Sequence, residues 1–286
     1  MRLCTQHFRG GDGLVYEVVN GIMDRCDAET VLKRIKIGVI PCGTANGLVA
    51  SLAKHASEKD NLMTSLFMIA KSRTIQIDLS KHQTANSTQY SFLSYEYGMI
   101  ADIDIKSEVL RWLGSFRYDL YGALNVLKMP RFKANFTYLP ADKVPNHKHR
   151  AMGVMPATVQ EAIPESNQDW VRLLDQDLII FWPSHVSHAA SRTHHSPDSR
   201  IQDGIFKVLL VRGKVSRLTM AMILIGLETG THVKYDNCEC IDCCAYRLEP
   251  ITPGLSVLDG EEIEEGPIQA SILPAALTVF CHVPSD

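Results

Sequence analysis

The sequence predicts an α/β segment followed by a longer, mainly-β segment, and three observations carry that division. Two glycine-rich loops, Gly10-Gly11-Asp12-Gly13 and Gly43-Thr44-Ala45-Asn46-Gly47, each stand before a stretch of helical period. The second loop follows Ile35–Ile40, a run rich in β-branched residues of the kind a sheet buries on both faces. Beyond about Ser72 the pattern changes to short runs separated by turn residues, as in antiparallel sheet.

Leu14, Val15, Val18, Val19, Ile22 and Met23 recur at helical spacing, so Leu14–Met23 is predicted as a helix. Ile35–Ile40 is a strand, Pro41 to Asn46 breaks the pattern, and Gly47–Lys54 and Leu62–Lys71 are helices. Such β-loop-α units build parallel sheets, which bind ligands at the edge where the loops open. The nine residues before Gly10 are not strand-like, so no strand is expected to deliver that loop. Thr74–Leu79, Tyr90–Tyr97, Phe132–Leu139, Leu178–Phe181, Gly204–Arg212, His232–Tyr235 and Ala245–Leu248 are predicted strands. Helices interrupt them around Ser107–Leu113, Leu120–Lys128 and Ser216–Leu227. Pro140–Asp169 and His185–Ser199 lack periodicity and read as mobile loop insertions. The expected domains are 1–72, a partial Rossmann-like unit, and 73–286, an antiparallel β-sandwich.

Composition narrows the class. Apolar residues make up 45% and charged residues 21%, as in a folded globular chain, and a net charge of −3 gives no polycationic footprint for nucleic acid. No run reaches the roughly 20 apolar residues that cross a bilayer, and Leu218–Leu227 reads as a buried helix. MRLCTQHFRG lacks the apolar core of a signal peptide, so the eight cysteines are expected reduced and the chain cytoplasmic. Cys238, Cys240, Cys243 and Cys244 do not form a paired zinc framework, and Asp236–Tyr246 reads as two strands. His185, His188, His194 and His195 read as a His-rich loop rather than a metal site.

Glycines at a strand-to-helix turn let the backbone approach a phosphate, and the helix N-terminus favours the anion. A carboxylate there opposes phosphate binding unless it serves an acceptor hydroxyl, so Asp12 is either such a group or a helix cap. Thr44 and Asn46 are either phosphate donors or caps of the next helix.

GGDGLVYEVVNGIMDR, IPCGTANGLVASLAKH and FLSYEYGMIADIDIKSEVLRWLGSFRYDLYG, in this order, resemble the signature blocks of the sphingosine kinases, members of the diacylglycerol kinase-like superfamily. The closing YRLEP and LDGEEI are similar to their last block. The resemblance implies ATP-dependent phosphorylation of a sphingoid base with Mg²⁺, Asp12 as general base, and Gly10, Gly11, Gly43, Thr44 and Asn46 around the nucleotide phosphates. It further implies Asp104 and Ser94 at the amino-alcohol head, with Asp102 as helper, and Arg111 and Arg117 on the phosphates with Glu108 between the two sides. Asp259, Gly260 and Glu261 would close on the nucleotide, and the second domain would bind the lipid, with Ile100, Leu120 and Leu124 near its channel or its membrane-facing rim. Without the resemblance, an acidic pair at a helix start, a solvated helix face, a β-turn and core packing explain these residues as well. Two departures accompany it: Ala45 stands where the family usually has glycine, and there is no room before Gly10 for a further glycine-rich loop. The expectation is therefore an N-terminally truncated member, either a kinase or an inactive lipid binder, with diacylglycerol or ceramide as alternative substrates. A peripheral membrane surface is an expected partner. Phe116–Lys133 also has the composition of a calmodulin-binding helix, although a half-buried helix fits it better, and a homodimer is left open.

Overall fold

The computed structural model describes residues 5–144, 155–163 and 169–282, with side chains from residue 11 onward. Strand β1 (Thr5–Gly10) runs parallel to β2 (Lys36–Pro41), pairing Thr5 with Lys36 through Gly10 with Pro41. The sheet thus begins before Gly10, against the reading of those residues as non-strand. TQHFRG carries little apolar alternation, and its pairing comes from the β2 ladder. Helices α1 (Asp12–Met23), α2 (Ala28–Leu32), α3 (Gly47–His55) and α4 (Leu62–Lys71) surround the pair, and α1 buries Val15, Val19 and Ile22 as its periodicity demands.

The rest is antiparallel sheet with three intervening helices. Strand β3 (Thr74–Gln83) pairs with β4 (Thr88–Ser91), and β5 (Tyr95–Gly98) follows after a break at Phe92–Ser94. Helix α5 (Met99–Lys106), a 3₁₀ segment (Ser107–Leu113) and α6 (Phe116–Lys128) lead to β6 (Phe132–Pro140). Next come β7 (Val171–Ser184), β8 (Phe206–Arg212), α7 (Arg217–Gly226), β9 (Cys238–Pro250), β10 (Ser256–Leu258), β11 (Glu261–Ile263) and β12 (Ile268–Phe280). The long strands β7 and β9 change partners midway, each pairing with β6 along one half and β8 along the other. This circuit forms a sandwich around Tyr95, Phe136, Phe181, Phe206 and Tyr246, whose rings meet edge to face (Phe136 to Phe181, 4.9 Å). Strand β12 returns to β2 at Val279 and Ile37, tying the two parts together.

Several elements differ from the expectation. His232–Tyr235 is not a strand: Thr231–Lys234 is a 3₁₀ turn, and His232 is buried so tightly that a Cβ at Gly226 would lie 2.7 Å from its backbone nitrogen. Cys238, Cys240, Cys243 and Cys244 lie on one strand, β9, rather than two. The His185–Ser199 segment is not a mobile insertion, since His185 and His195 are buried and His188 stacks on His194 at 4.3 Å. The insertion expected at Pro140–Asp169 falls partly outside the described residues. Within them, Arg247 donates to the Glu161 carbonyl and Gln269 to that of Pro156, holding residues 155–163 against the sheet.

Candidate active site

The two glycine loops meet. A Cβ on Gly43 would lie 2.6 Å from the Cα of Gly11, so only glycine allows the loops to approach this closely. Asn46 sits in the left-handed region (φ 51°) and turns its amide back on its own loop, accepting from the Gly43 N–H at 3.1 Å and donating to the Gly43 carbonyl at 2.5 Å. Asp12, the first residue of α1, is buried, and its Oδ2 accepts the Gly47 N–H at 2.6 Å. It therefore caps α3 from a different segment, while Gly11 occupies the N-cap of its own helix. Its Oδ1 is buried without a partner. Burial raises the Asp12 carboxyl to about 6, although N–H groups of Gly47 and Leu48 pull it down.

The His-rich segment closes against this corner. Ser191 donates to the Ala45 carbonyl at 2.6 Å, Asn46 bridges to Ala190, and a Cβ at Gly47 would lie 2.4 Å from the Ala189 oxygen. Arg192 then reaches Glu228 and, at 3.8 Å, Asp119, linking the end of α7 to α6.

Across the cleft, Asp259 is fully enclosed. It accepts from Ser91 Oγ at 2.6 Å and from the N–H groups of Phe92, Leu93 and Ser94 at 3.0–3.1 Å, which explains the break between β4 and β5. Burial still pushes its carboxyl up to about 7. Glu261 lies over Gly13, where a Cβ would come within 2.9 Å of its Oε1. Asp104 on α5 is raised to about 6 by burial, with Arg117 pulling it down and Tyr118 donating to it. Arg117 is buried, donates to the Tyr118 hydroxyl at 2.6 Å and stands 3.8 Å from Glu108, which also pairs with exposed Arg111 at 2.5 Å. One cleft of about 1300 Å³ touches Gly11, Asp12, Gly43, Thr44, Ser94, Asp104, Arg117 and Glu261 together.

Residues 8–82 match the diacylglycerol kinase catalytic domain, and residues 188–281 match the YegS C-terminal NAD kinase beta sandwich-like domain. Sphingosine kinase 1 of Arabidopsis thaliana is 30% identical over 84% of this chain and 51% of its own length. Human sphingosine kinase 1 is 29% identical over 92% of this chain and 72% of its own length. With both domain matches and these relatives, the chain is similar to the diacylglycerol kinase-like lipid kinases. It spans about half the length of the Arabidopsis relative. A diacylglycerol kinase from Bacillus anthracis shares the fold with a TM-score of 0.63 at 16% identity, covering 97% of this chain and 78% of that one.

Not every residue singled out in the sequence reaches the cleft. Glu108, Arg111, Ile100 and Gly260 line it, whereas Asn46 does not, and the surroundings of Gly10 lie outside the described residues. Asp102 pairs with Lys106 at 2.6 Å and does not line it either. Asp259 borders the cleft but spends its carboxylate on residues 91–94. Leu120 and Leu124 point outward, and Gly122, Ala123, Val126 and Leu127 form the inner face of α6. Sequence reasoning missed the opposite wall, Ala221, Leu224 and Ile225 on α7, and the floor at Trp182. Their helical and strand periodicity is that of ordinary core, so nothing local marked them. It also missed Glu96, hidden in the alternation of β5. Among the described residues there is no group of three metal-ligating side chains, and the seven described cysteines are free.

Proposed function

We propose that this chain transfers the γ-phosphoryl group of ATP to the primary hydroxyl of a sphingoid base, with residues 1–72 holding the nucleotide and residues 73–286 the lipid. The observation that carries this reading is Asp12: a buried carboxylate with one free oxygen, in the same cleft as both glycine loops and Asp104. Its Oδ1 takes the hydroxyl proton while the alkoxide oxygen forms its bond to the γ-phosphorus and the bond to the ADP oxygen breaks, with the electron pair leaving on ADP. The close-set glycines leave backbone space for phosphate oxygens, and Arg117 keeps a buried Nη1 without a hydrogen-bond partner on the same cleft. Mg²⁺ needs only one or two carboxylates beside phosphate oxygens, which the free carboxylate of Glu261 suits, and it would supply charge neutralisation.

The lipid chain fits the apolar end between α6 and α7, and the names of the sphingosine kinase relatives support an amino-lipid substrate. Leu127 and Ile225 on its lining, and Val109, Trp112, Phe116 and Leu218 on the helical segments that carry the lining, are each more than half exposed, which supports peripheral contact with a cytoplasmic membrane face. No helix among the described residues is long and apolar enough to cross a membrane.

Purified protein incubated with γ-labelled ATP, Mg²⁺ and separate micelles of sphingosine, ceramide and diacylglycerol tests the proposal. Label should pass to sphingosine foremost, and Asp12→Asn should lower that transfer by about 10²–10⁴-fold. Transfer to none of the three lipids would leave the chain a lipid binder.

A further inference from the structure

Glu96 has no role in the scheme above, yet its surroundings are unusual. It lies in β5 between Tyr95 and Tyr97, both fully buried, with Tyr95 packed into the sandwich core. Alternation sends Glu96 to the opposite face, the face of Ser94, where both residues line the cleft. Glu96 is 8% exposed, and its Oε2 has no hydrogen-bond partner. Burial, and then the charges of Asp104 and Asp259, raise its carboxyl well above the usual range.

A buried carboxylate is costly unless a donor or cation meets it. The protein supplies none here. Eight carboxylates line the cleft (Asp12, Glu96, Asp104, Glu108, Asp119, Glu228, Asp259, Glu261) against three arginines. Arg192 is engaged by Glu228 and Asp119 and Arg111 by Glu108, while Arg117, beside Tyr118 and Glu108, acts on Asp104, and no cation is among the charges that act on Glu96. The four donors around Asp259 settle that carboxylate but leave Glu96 untouched. Whatever fills this part of the cleft must bring the positive charge.

We infer that Glu96 is a second carboxylate, beside Asp104, that receives the ammonium group of an amino lipid and sets the preference for a cationic over a neutral head. The inference rests on the proposed reading that a lipid occupies the cleft. An ammonium carries three donors and no acceptor, enough for Asp104, Glu96 and the Ser94 hydroxyl. A glycerol or other neutral alcohol head brings no charge and leaves one buried carboxylate uncompensated. Charge-assisted hydrogen bonds are roughly twice as strong as neutral ones, so losing one should be measurable.

The experiment measures binding without catalysis. Hexadecylammonium and hexadecanol are titrated into the full chain without nucleotide, following the fluorescence of Trp182, which lines the cleft. Glu96→Gln should weaken the ammonium probe at least tenfold and leave the alcohol unchanged or tighter. Asp104→Asn should act in the same direction. Removing a buried, unpartnered carboxyl should also raise the melting temperature of ligand-free Glu96→Gln and Glu96→Ala. Equal losses for both probes, no loss for the ammonium, or an unfolded variant would overturn the assignment. The failures are separable. Glu96-dependent ammonium binding without phosphoryl transfer keeps this site and sinks the kinase reading. Transfer to sphingosine with wild-type ammonium affinity in Glu96→Gln sinks only this inference.

Discussion

The two ends of the cleft are made of different material. At the nucleotide end the surface is backbone: Gly11 and Gly43 come within a Cβ of clashing, Asn46 folds onto its own loop, and Gly47 is pressed by Ala189. At the end proposed for the lipid it is side chains, from Ser94 and Glu96 in and before β5, Asp104 on α5, Trp182 on β7 and the facing walls of α6 and α7. A backbone cradle binds any triphosphate of the right shape, because N–H groups do not depend on side-chain identity. A side-chain pocket can be retuned one residue at a time. Under the proposed function, the difference would give general phosphate binding to one end and substrate choice to the other, with Asp12 at the junction.

That contrast can be broken most severely at Gly43. Gly43→Ala places a methyl against the Gly11 backbone, so nucleotide affinity should fall by more than 100-fold while binding of an alkyl amine stays within a few-fold. Isothermal titration with each ligand reads both. A parallel loss at the lipid end would show that the two surfaces are not independent. Asp259→Ala should be next in size. It strands three N–H groups and a hydroxyl, each costing about 1–3 kcal/mol when buried, so chemical denaturation should report a loss of several kcal/mol. A mild loss would mean that Asp259 serves the nucleotide rather than the 91–94 turn. Arg111→Ala should be smallest in stability, below about 1 kcal/mol, because its pair with Glu108 is exposed. Its effect on the KM for ATP then decides whether that arginine reaches a phosphate or only Glu108.

The same contrast governs what the sequence disclosed. Backbone cradles leave glycines at readable spacing, so both loops, helix α4 to the residue, and the switch to antiparallel sheet were legible. Side-chain pockets assemble from segments far apart, and each contributor resembles core: Leu224 and Trp182 carry no signal that separates a channel wall from packing. Strand β12 escaped notice because Pro274 interrupts it. The structure accommodates the proline with a register shift between Leu273 and Leu277, a left-handed Ala275 (φ 53°) and a 2.8 Å bond from the Ala275 N–H to Asp78. Strand β1 escaped because a short polar strand is specified by its partner. Asp259 was read as a ligand group from its motif, whereas three consecutive N–H groups around it are visible only in three dimensions.

Asp12 also links chemistry to stability. Its folded pKa, near 6, lies above the ordinary carboxylate value, so the native state binds this proton more tightly than the unfolded chain. The stabilisation is complete below about pH 4 and is lost as pH rises through 6, up to about 3 kcal/mol. Asp12→Asn removes that dependence, so its melting temperature should gain on the wild type between pH 4 and 7.

The pH dependence of single-turnover transfer from ATP to sphingosine, measured for the wild type and Asp12→Asn, tests the central claim most directly. The rate should climb through an apparent pKa near 6 in the wild type. In the variant it should be at least 100-fold lower and flat across that range. A variant that retains the wild-type rate, or keeps the same inflection, would contradict Asp12 as the base.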